Sequence, residues 1–504
     1  MSSLSVKEFF KGSFWVVLAN VVTRFAGFVT LPLLARLLGP ANLGLYSLVQ
    51  NTVQTGDGLA RLGIDAAMHR NGSQYETIGT KAVGRLFGVG ACLMIGCGTL
   101  IAIGVWVARN ALALKWLGEP RVEPWLGLTA LIVILTTISN PPWVYLVALH
   151  AFRTYSLRTS VVSIAGAILT LSLAWFFGLT GALWGLGLTA LIQAVWGWWL
   201  TLPVLHEKGI RLQCDRFFSE ARSILGFGLP FYVSNFLSSF ITLPLLGYVS
   251  RTGGIEQLGY LRVAQSLSQL ISFLPTAIAP VLVSNLSASL AADVQGYQRL
   301  KSLHLRTLWA CILVFSISVC FSLDALILKL FGSTYADAVL LSRMTIWMAA
   351  ITSIASIFSQ YVISSGNTRL IAVIQTIGLL ITFGVALTLI PIYSSLGLLI
   401  GQISGAAFTL IAYIKPALKD IQQSDRIHLW CLAGLSLNLI ATTFLLPLAV
   451  ENPWLLLAGS LLFISVTLAV LCFQAFTIQE RALVSSAFKQ AFAKLISGAS
   501  KKSP

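Results

Sequence analysis

The stretch that decides the fold is LGLYSLVQNTVQTGDGLARLGID, Leu43 to Asp65. As a helix it is long enough to cross a bilayer, yet it is not uniformly apolar. Gln50, Gln54, Asp57 and Arg61 recur at i, i+4, i+7 and i+11, which puts all four on one helical face. A polar stripe ending in two charges is predicted to face a protein interior or a water-filled cavity, because lipid cannot solvate it.

Composition sets the class. Hydrophobic residues make up 57% of the chain and charged residues 10%, and mean hydropathy is +0.85. Apolar stretches of membrane-crossing length recur from end to end. The polar breaks between them are too short for a separate soluble domain, which argues against an enzyme with an extramembrane catalytic domain. The net charge of +16 reads as loop Lys and Arg rather than as a nucleic-acid surface. The seven cysteines show no CxxC or Cys/His metal spacing and read as packing residues. There is no phosphate-binding GxxxxGK[ST] loop, and the five histidines sit scattered at span ends.

The fold class expected is an all-α polytopic membrane protein. Fourteen spans are predicted, near 13–35, 43–64, 82–108, 125–149, 159–178, 181–204, 223–248, 257–284, 303–323, 341–364, 370–391, 395–415, 428–449 and 454–475. With the N-terminus inside, the termini and even-numbered loops carry 23 of the 33 Lys and Arg, and the odd loops carry seven. That bias predicts both termini in the cytoplasm. Arg153 and Arg158 count here as cytoplasmic loop charges.

A repeat runs through the chain. FVTLPLL at Phe28–Leu34 returns as FITLPLL at Phe240–Leu246, 212 positions on. LGLYSLVQ at Leu43–Gln50 returns as LGYLRVAQ at Leu258–Gln265, 215 positions on. An offset of six spans predicts two lobes of the same topology, related by a pseudo-two-fold axis along the membrane normal. The expected boundaries are 1–204 and 223–416 for the lobes, with 205–222 as a cytoplasmic amphipathic linker expected to be helical. Residues 417–475 hold two extra spans, and 476–504 form a basic amphipathic tail.

Adding 215 carries Gln50 to Gln265, Gln54 to Gln269, Asp57 to Ser272 and Arg61 to Thr276. Two equivalent helices with polar faces predict a cavity between the lobes. Asn20 and Arg24 on the first span extend the same wall. A central arginine costs about 2.5–3.5 kcal/mol on insertion scales, so Arg24 needs either a carboxylate, with Asp57 as the expected partner, or an anionic ligand. Arg61 can pair with Asp57 or Asp65, and Arg262 lies one turn inside the eighth span. The lining is thus cationic and asymmetric. Pro32 and Pro244 occupy equivalent places and are candidate hinges; Pro275 and Pro280 interrupt the eighth span. The glycines from Gly84 to Gly104 read as a close-packing face.

The segment TRFAGFVTLPLLARLLGPANLGLYSL, followed by GLARLGIDAAMHR, resembles the N-terminal signature of Wzx-type oligosaccharide and polysaccharide (O-antigen) flippases. These lie within the multidrug/oligosaccharidyl-lipid/polysaccharide exporter superfamily. The resemblance implies a bacterial inner-membrane protein that flips an undecaprenyl-pyrophosphate-linked glycan from the cytoplasmic to the periplasmic leaflet by alternating access. Its partners would be membrane lipids and the polysaccharide polymerase machinery. It implies no cofactor; a proton or sodium gradient or the membrane potential would drive the cycle. The pyrophosphate would meet Arg24, Arg61 and Arg262, and the sugars the glutamines. Arg24 matches the place of a cavity arginine in the lipid II flippases of the same superfamily, whereas the continuation TLPLLAR departs from their acidic and basic pair. The alternatives are a lipid II flippase or a multidrug antiporter of the same superfamily, and then a membrane glycan ligase or polymerase. A multidrug antiporter would prefer a carboxylate-rich cavity, and a ligase a long outer loop.

Overall fold

A computed structural model describes residues 6–75, 79–273, 294–364, 368–418 and 423–449, and all regular structure in them is helical. Thirteen of the expected spans fall on described helices. The fourteenth (454–475), the tail, the far half of the eighth span and Pro275, Thr276 and Pro280 lie outside them.

Among the described residues, nine helical runs are long and apolar enough to cross a membrane. Two of these runs are double length, Trp15–Arg61 at 47 residues and Phe152–Glu207 at 56 residues. Each folds back at a glycine: Gly39 (φ 72°) and Gly178 (φ 58°). Positive φ is open to glycine without a Cβ clash, and Pro40 then starts the second limb with its φ preset. A short helix, Ile64–Tyr75, follows the second limb after a turn through Gly63. The next helices are Thr80–Val107, Glu123–Ala148 and, after the double run, Phe217–Gly253.

The chain divides into two compact units. The first comprises residues 1–267, 326–341 and 372–405, and the second 268–325, 342–371 and 406–504. At one end of the first unit, Ile64, Met68, Phe87, Tyr145 and Ile224 form a fully buried apolar cluster. Tyr145 stacks on Phe87 at 4.3 Å and donates its hydroxyl to the Phe87 carbonyl at 2.7 Å.

At the other end, the two copies of the repeat exchange contacts. Gly39 and Gly254, 215 positions apart, hold nearly the same turn, φ 72°, ψ 171° and φ 85°, ψ 163°. Gly44 lies so close to the Ile255 carbonyl oxygen that a Cβ would stand 2.1 Å from it. Its counterpart Gly259 packs on the Pro40 carbonyl at 2.2 Å by the same measure, and Pro40 is the counterpart of Ile255. Arg36 donates to the carbonyls of Lys329 and Leu330. Arg251 donates to those of Leu114 and Lys115, again 215 positions earlier. Contacts of the form i to j and j to i are the mark of a two-fold relation, and here they relate the turn regions of the repeat.

The linker differs from the expected amphipathic helix. Residues 208–216 are not helical; they run as a strap along Thr80–Val107, and a helix resumes only at Phe217. The Gln213 N–H donates to the Gly84 carbonyl at 3.1 Å. A Cβ on Gly84 or Gly88 would come within 2.1 or 2.2 Å of the Arg211 or Gln213 carbonyl oxygens. The glycine face thus packs closely, and what it receives at this end is extended chain. The strap's backbone finds its partner there instead of in its own helix. Cys92 and Cys214 face each other with sulfurs 3.4 Å apart.

In the second unit, Trp309 donates its indole N–H to Ser436 at 3.1 Å, and Trp347 donates to Thr443 at 2.9 Å. These bonds tie Gln423–Ala449 to Val294–Leu330 and Ala338–Ser364, a use of polar side chains suited to helices surrounded by lipid.

Candidate functional site

Two polar clusters lie on the limb that follows Gly39, about 10 Å apart along its axis. The first is a closed ring. Arg61 donates to one Asp57 oxygen through Nε at 3.0 Å and Nη2 at 2.7 Å. The same Nη2 reaches Asn140 Oδ1 at 3.0 Å, and Asn140 Nδ2 donates to the other Asp57 oxygen at 2.7 Å. Asp65 adds a weaker contact to Arg61 at 3.9 Å. The carboxylate is therefore spent inside the ring: its side chain is 15% exposed and that of Arg61 30%. The expected Arg24–Asp57 pair is not formed, because Arg61, one helical turn away, reaches Asp57 along its own helix.

Asn140 escaped the reading of the sequence, although it sits in Ser139-Asn140-Pro141-Pro142, an unusual run for an apolar span. Pro141 and Pro142 bring no N–H to the carbonyls four residues back. One of these, Ile138, accepts the Trp198 indole N–H at 2.9 Å. The neighbouring Ser139 carbonyl accepts from Arg158 Nη2 at 2.8 Å, and the same Nη2 donates a longer bond to the Gln193 carbonyl at 3.3 Å. Arg158 is thus a correction: it is not a solvated loop charge but a buried side chain, 5% exposed, on the Phe152–Glu207 helix. Neighbouring side chains re-satisfy a helix opened by prolines, and the opened segment carries Asn140 to Asp57.

The second cluster is Gln50 with Arg262. Arg262 Nη2 donates to Gln50 Oε1 at 2.7 Å, and its buried Nε has no hydrogen-bond partner among the described residues. No carboxylate there stands within ion-pair distance of it. Arg262 is directed inward to the Gln50 limb, not to the membrane surface.

Arg24 is half-buried on the first limb, beside Thr23, whose hydroxyl bonds Ser163 at 2.9 Å. Asn20 and Gln54 are exposed, and Gln265 is half-buried. Gln269 is exposed and belongs to the second unit. Pro32 and Pro244 lie within continuous helix; the break in the backbone comes at Gly39. Among the described residues no group of acidic, His and Cys side chains is placed to hold a metal ion.

Comparison with known proteins places this arrangement. A lipid II flippase, MurJ, in its inward closed conformation superimposes with a TM-score of 0.71 at 13% identity, over 92% of this chain and 98% of that one. A multidrug resistance MATE family transporter of the MOP superfamily, inward-facing, gives 0.55 at 16% identity, over 86% and 97%. A MOP superfamily transporter from Pyrococcus furiosus, described as having a binding pocket of reverse polarity, gives 0.54 at 16%, over 82% and 95%. At these identities the likeness is one of fold, and the proteins that share it are transporters and a flippase rather than catalysts. No curated protein matches the sequence. The family model for polysaccharide biosynthesis proteins matches residues 9–284, more than half of the chain and both copies of the repeat. The chain belongs to the polysaccharide biosynthesis protein family.

Proposed function

We propose that this protein flips an undecaprenyl-pyrophosphate-linked oligosaccharide from the cytoplasmic to the periplasmic leaflet of a bacterial inner membrane. The observation that carries the reading is Arg262: a cation on a membrane helix, held by neutral Gln50 and facing no carboxylate among the described residues. Such a group favours an anion. The one carboxylate of the polar stripe, Asp57, is occupied by Arg61 and Asn140. A multidrug antiporter for cationic substrates would need that carboxylate available.

In this reading the pyrophosphate meets Arg262 and Arg24, with Arg61 joining when the ring opens. The sugars meet Asn20, Gln50, Gln54, Gln265 and Gln269, and the polyprenyl chain stays in lipid. Two six-helix lobes alternate their access, with Pro32 and Pro244 as flexing points and both termini in the cytoplasm. A proton or sodium gradient or the membrane potential drives the cycle, and a polysaccharide polymerase takes the product. Family membership and the fold shared with a lipid II flippase support a lipid-linked glycan as cargo.

The test is complementation of a flippase-null strain. Wild type is expected to restore surface glycan, and Arg262→Gln and Arg24→Ala are expected to fail while reaching the membrane in normal amount. Restoration by Arg262→Gln equal to wild type contradicts the proposed role of Arg262.

A further inference from the structure

The two-fold exchange of contacts carries different side chains in its two copies. Arg36 and Arg251 perform the same task, each capping two backbone carbonyls near the end of another helix. Around Arg36 the capped pair is Lys329 and Leu330; around Arg251 it is Leu114 and Lys115. The order is thus reversed, lysine then leucine around Arg36 and leucine then lysine around Arg251, so that Lys115 stands where the other pair has Leu330. The second copy also carries the three extra residues that change the repeat offset from 212 to 215, and they fall between Leu246 and Arg251, where Tyr248 lies. Neither Lys115 nor Tyr248 is needed for the shared architecture.

Both departures line one cavity of about 390 Å³, together with Trp116, Pro244, Leu245, Arg251, Phe383 and Leu387. All of these belong to the first unit. The wall bearing Lys115 and Trp116 is a π-helical turn, Leu112–Trp116, a geometry uncommon in proteins and found often at functional sites. Gly247 admits this turn by lying against the Trp116 carbonyl, 1.9 Å from where its Cβ would stand. The cavity thus has two cations and a phenol among apolar and aromatic walls. An aromatic ridge leads away from it. Trp116 meets Phe240 edge-on at 5.3 Å, and Phe240 stacks with Phe236 at 5.9 Å. Phe236 and Phe240 are 42% and 46% exposed.

We propose that this cavity binds the phosphate-bearing headgroup of a long-chain lipid. Lys115 and Arg251 meet the phosphate oxygens with charge-assisted hydrogen bonds, and Tyr248 adds a hydroxyl donor. The lipid chain lies along the Trp116–Phe240–Phe236 ridge, which offers apolar contact at the membrane boundary. Two lipids share this chemistry: a polyprenyl pyrophosphate and a bulk anionic phospholipid. The site is separate from the Arg262 cluster and does not depend on the orientation proposed above.

The test is photolabelling of the full chain in nanodiscs, mapped by mass spectrometry. The probes are a diazirine-bearing farnesyl pyrophosphate and a diazirine-bearing phosphatidylglycerol, with inorganic pyrophosphate as competitor. Label is expected on the peptides holding Trp116 and Phe240. Lys115→Leu installs the residue that the other copy carries, and it is expected to reduce this label about tenfold. Leu387→Trp, which fills the cavity, is expected to do the same. Preference for farnesyl pyrophosphate identifies the polyprenyl source, and equal labelling identifies bulk phospholipid; either supports the site. No label on these peptides, or label unchanged in both variants, overturns it. Because Arg262→Gln leaves this cavity intact, its label is expected to persist in that variant even if glycan flipping fails.

Discussion

The two copies of the repeat share a frame and differ in charge. Gly39 and Gly254, Gly44 and Gly259, and Arg36 and Arg251 do the same work in each copy. The polar stripes do not match. The first copy holds Asp57 and Arg61 where the second has Ser272 and Thr276. The second holds Arg262 where the first has Ser47. Backbone-to-backbone contact fixes the frame, because no side chain fits between two main chains in van der Waals contact. The stripes leave one arginine in a ring and another whose hydrogen bond, among the described residues, goes to the Gln50 amide.

The frame offers the strongest test of this comparison. Gly44→Val and Gly259→Val each force a side chain into a carbonyl contact closer than any real one. Each is expected to cost about 3 kcal/mol or more, seen as loss of monodisperse protein or a lower melting temperature in detergent. The two should behave alike. A tolerated valine at one position and collapse at the other breaks the two-fold relation.

Asn140 tests the ring, which has no counterpart in the second copy. Asn140→Leu removes a donor and an acceptor from a partly exposed ion pair, and a loss of about 1–2 kcal/mol is expected in a thermal melt. Adding Asp57→Asn to Asn140→Leu is expected to cost less than the two losses added, because the residues act as one network. Additive losses disperse the ring into independent contacts.

The strap gives the mildest effect. Gly84→Ala places a methyl against the Arg211 carbonyl, and a loss of about 1 kcal/mol is expected as the extended chain shifts. With Cys92 and Cys214 facing each other, a thiol oxidant is expected to join them in the wild type, and less completely in Gly84→Ala. No crosslink in either protein dislodges the strap from this helix.

Much of this was legible in the sequence, for reasons that differ by residue. Period and hydropathy marked the helices, and the turns fell at Gly39, followed by Pro40, and at Gly178, where glycine interrupts the apolar run. The repeated LG pair was visible because backbone contacts at Gly44 and Gly259 forbid a larger residue. The Asp57–Arg61 pair was readable as an i, i+4 contact. Asn140 and Arg158 were not, since they act across helices, and hydropathy gives no sign of which proline-opened carbonyl needs a donor. The linker's periodicity suggested a helix; the glycine groove that receives it as extended chain is a tertiary fact. Arg262 was readable as a charge one turn inside its span, able to face a cavity or the interface, whereas Gln50 as its partner depended on the two-fold contact that brings the copies together.

Arg262 is proposed to serve an anion because, among the described residues, no carboxylate stands within ion-pair distance of it. The most direct measurement is flipping of an undecaprenyl-pyrophosphate-linked oligosaccharide in proteoliposomes by Gln50→Glu beside wild type. This substitution keeps the arginine, supplies a carboxylate at hydrogen-bond distance and leaves the fold at least as stable. The account expects the rate to fall about tenfold or more, with Gln50→Asn much less affected. A Gln50→Glu protein that flips at the wild-type rate contradicts it.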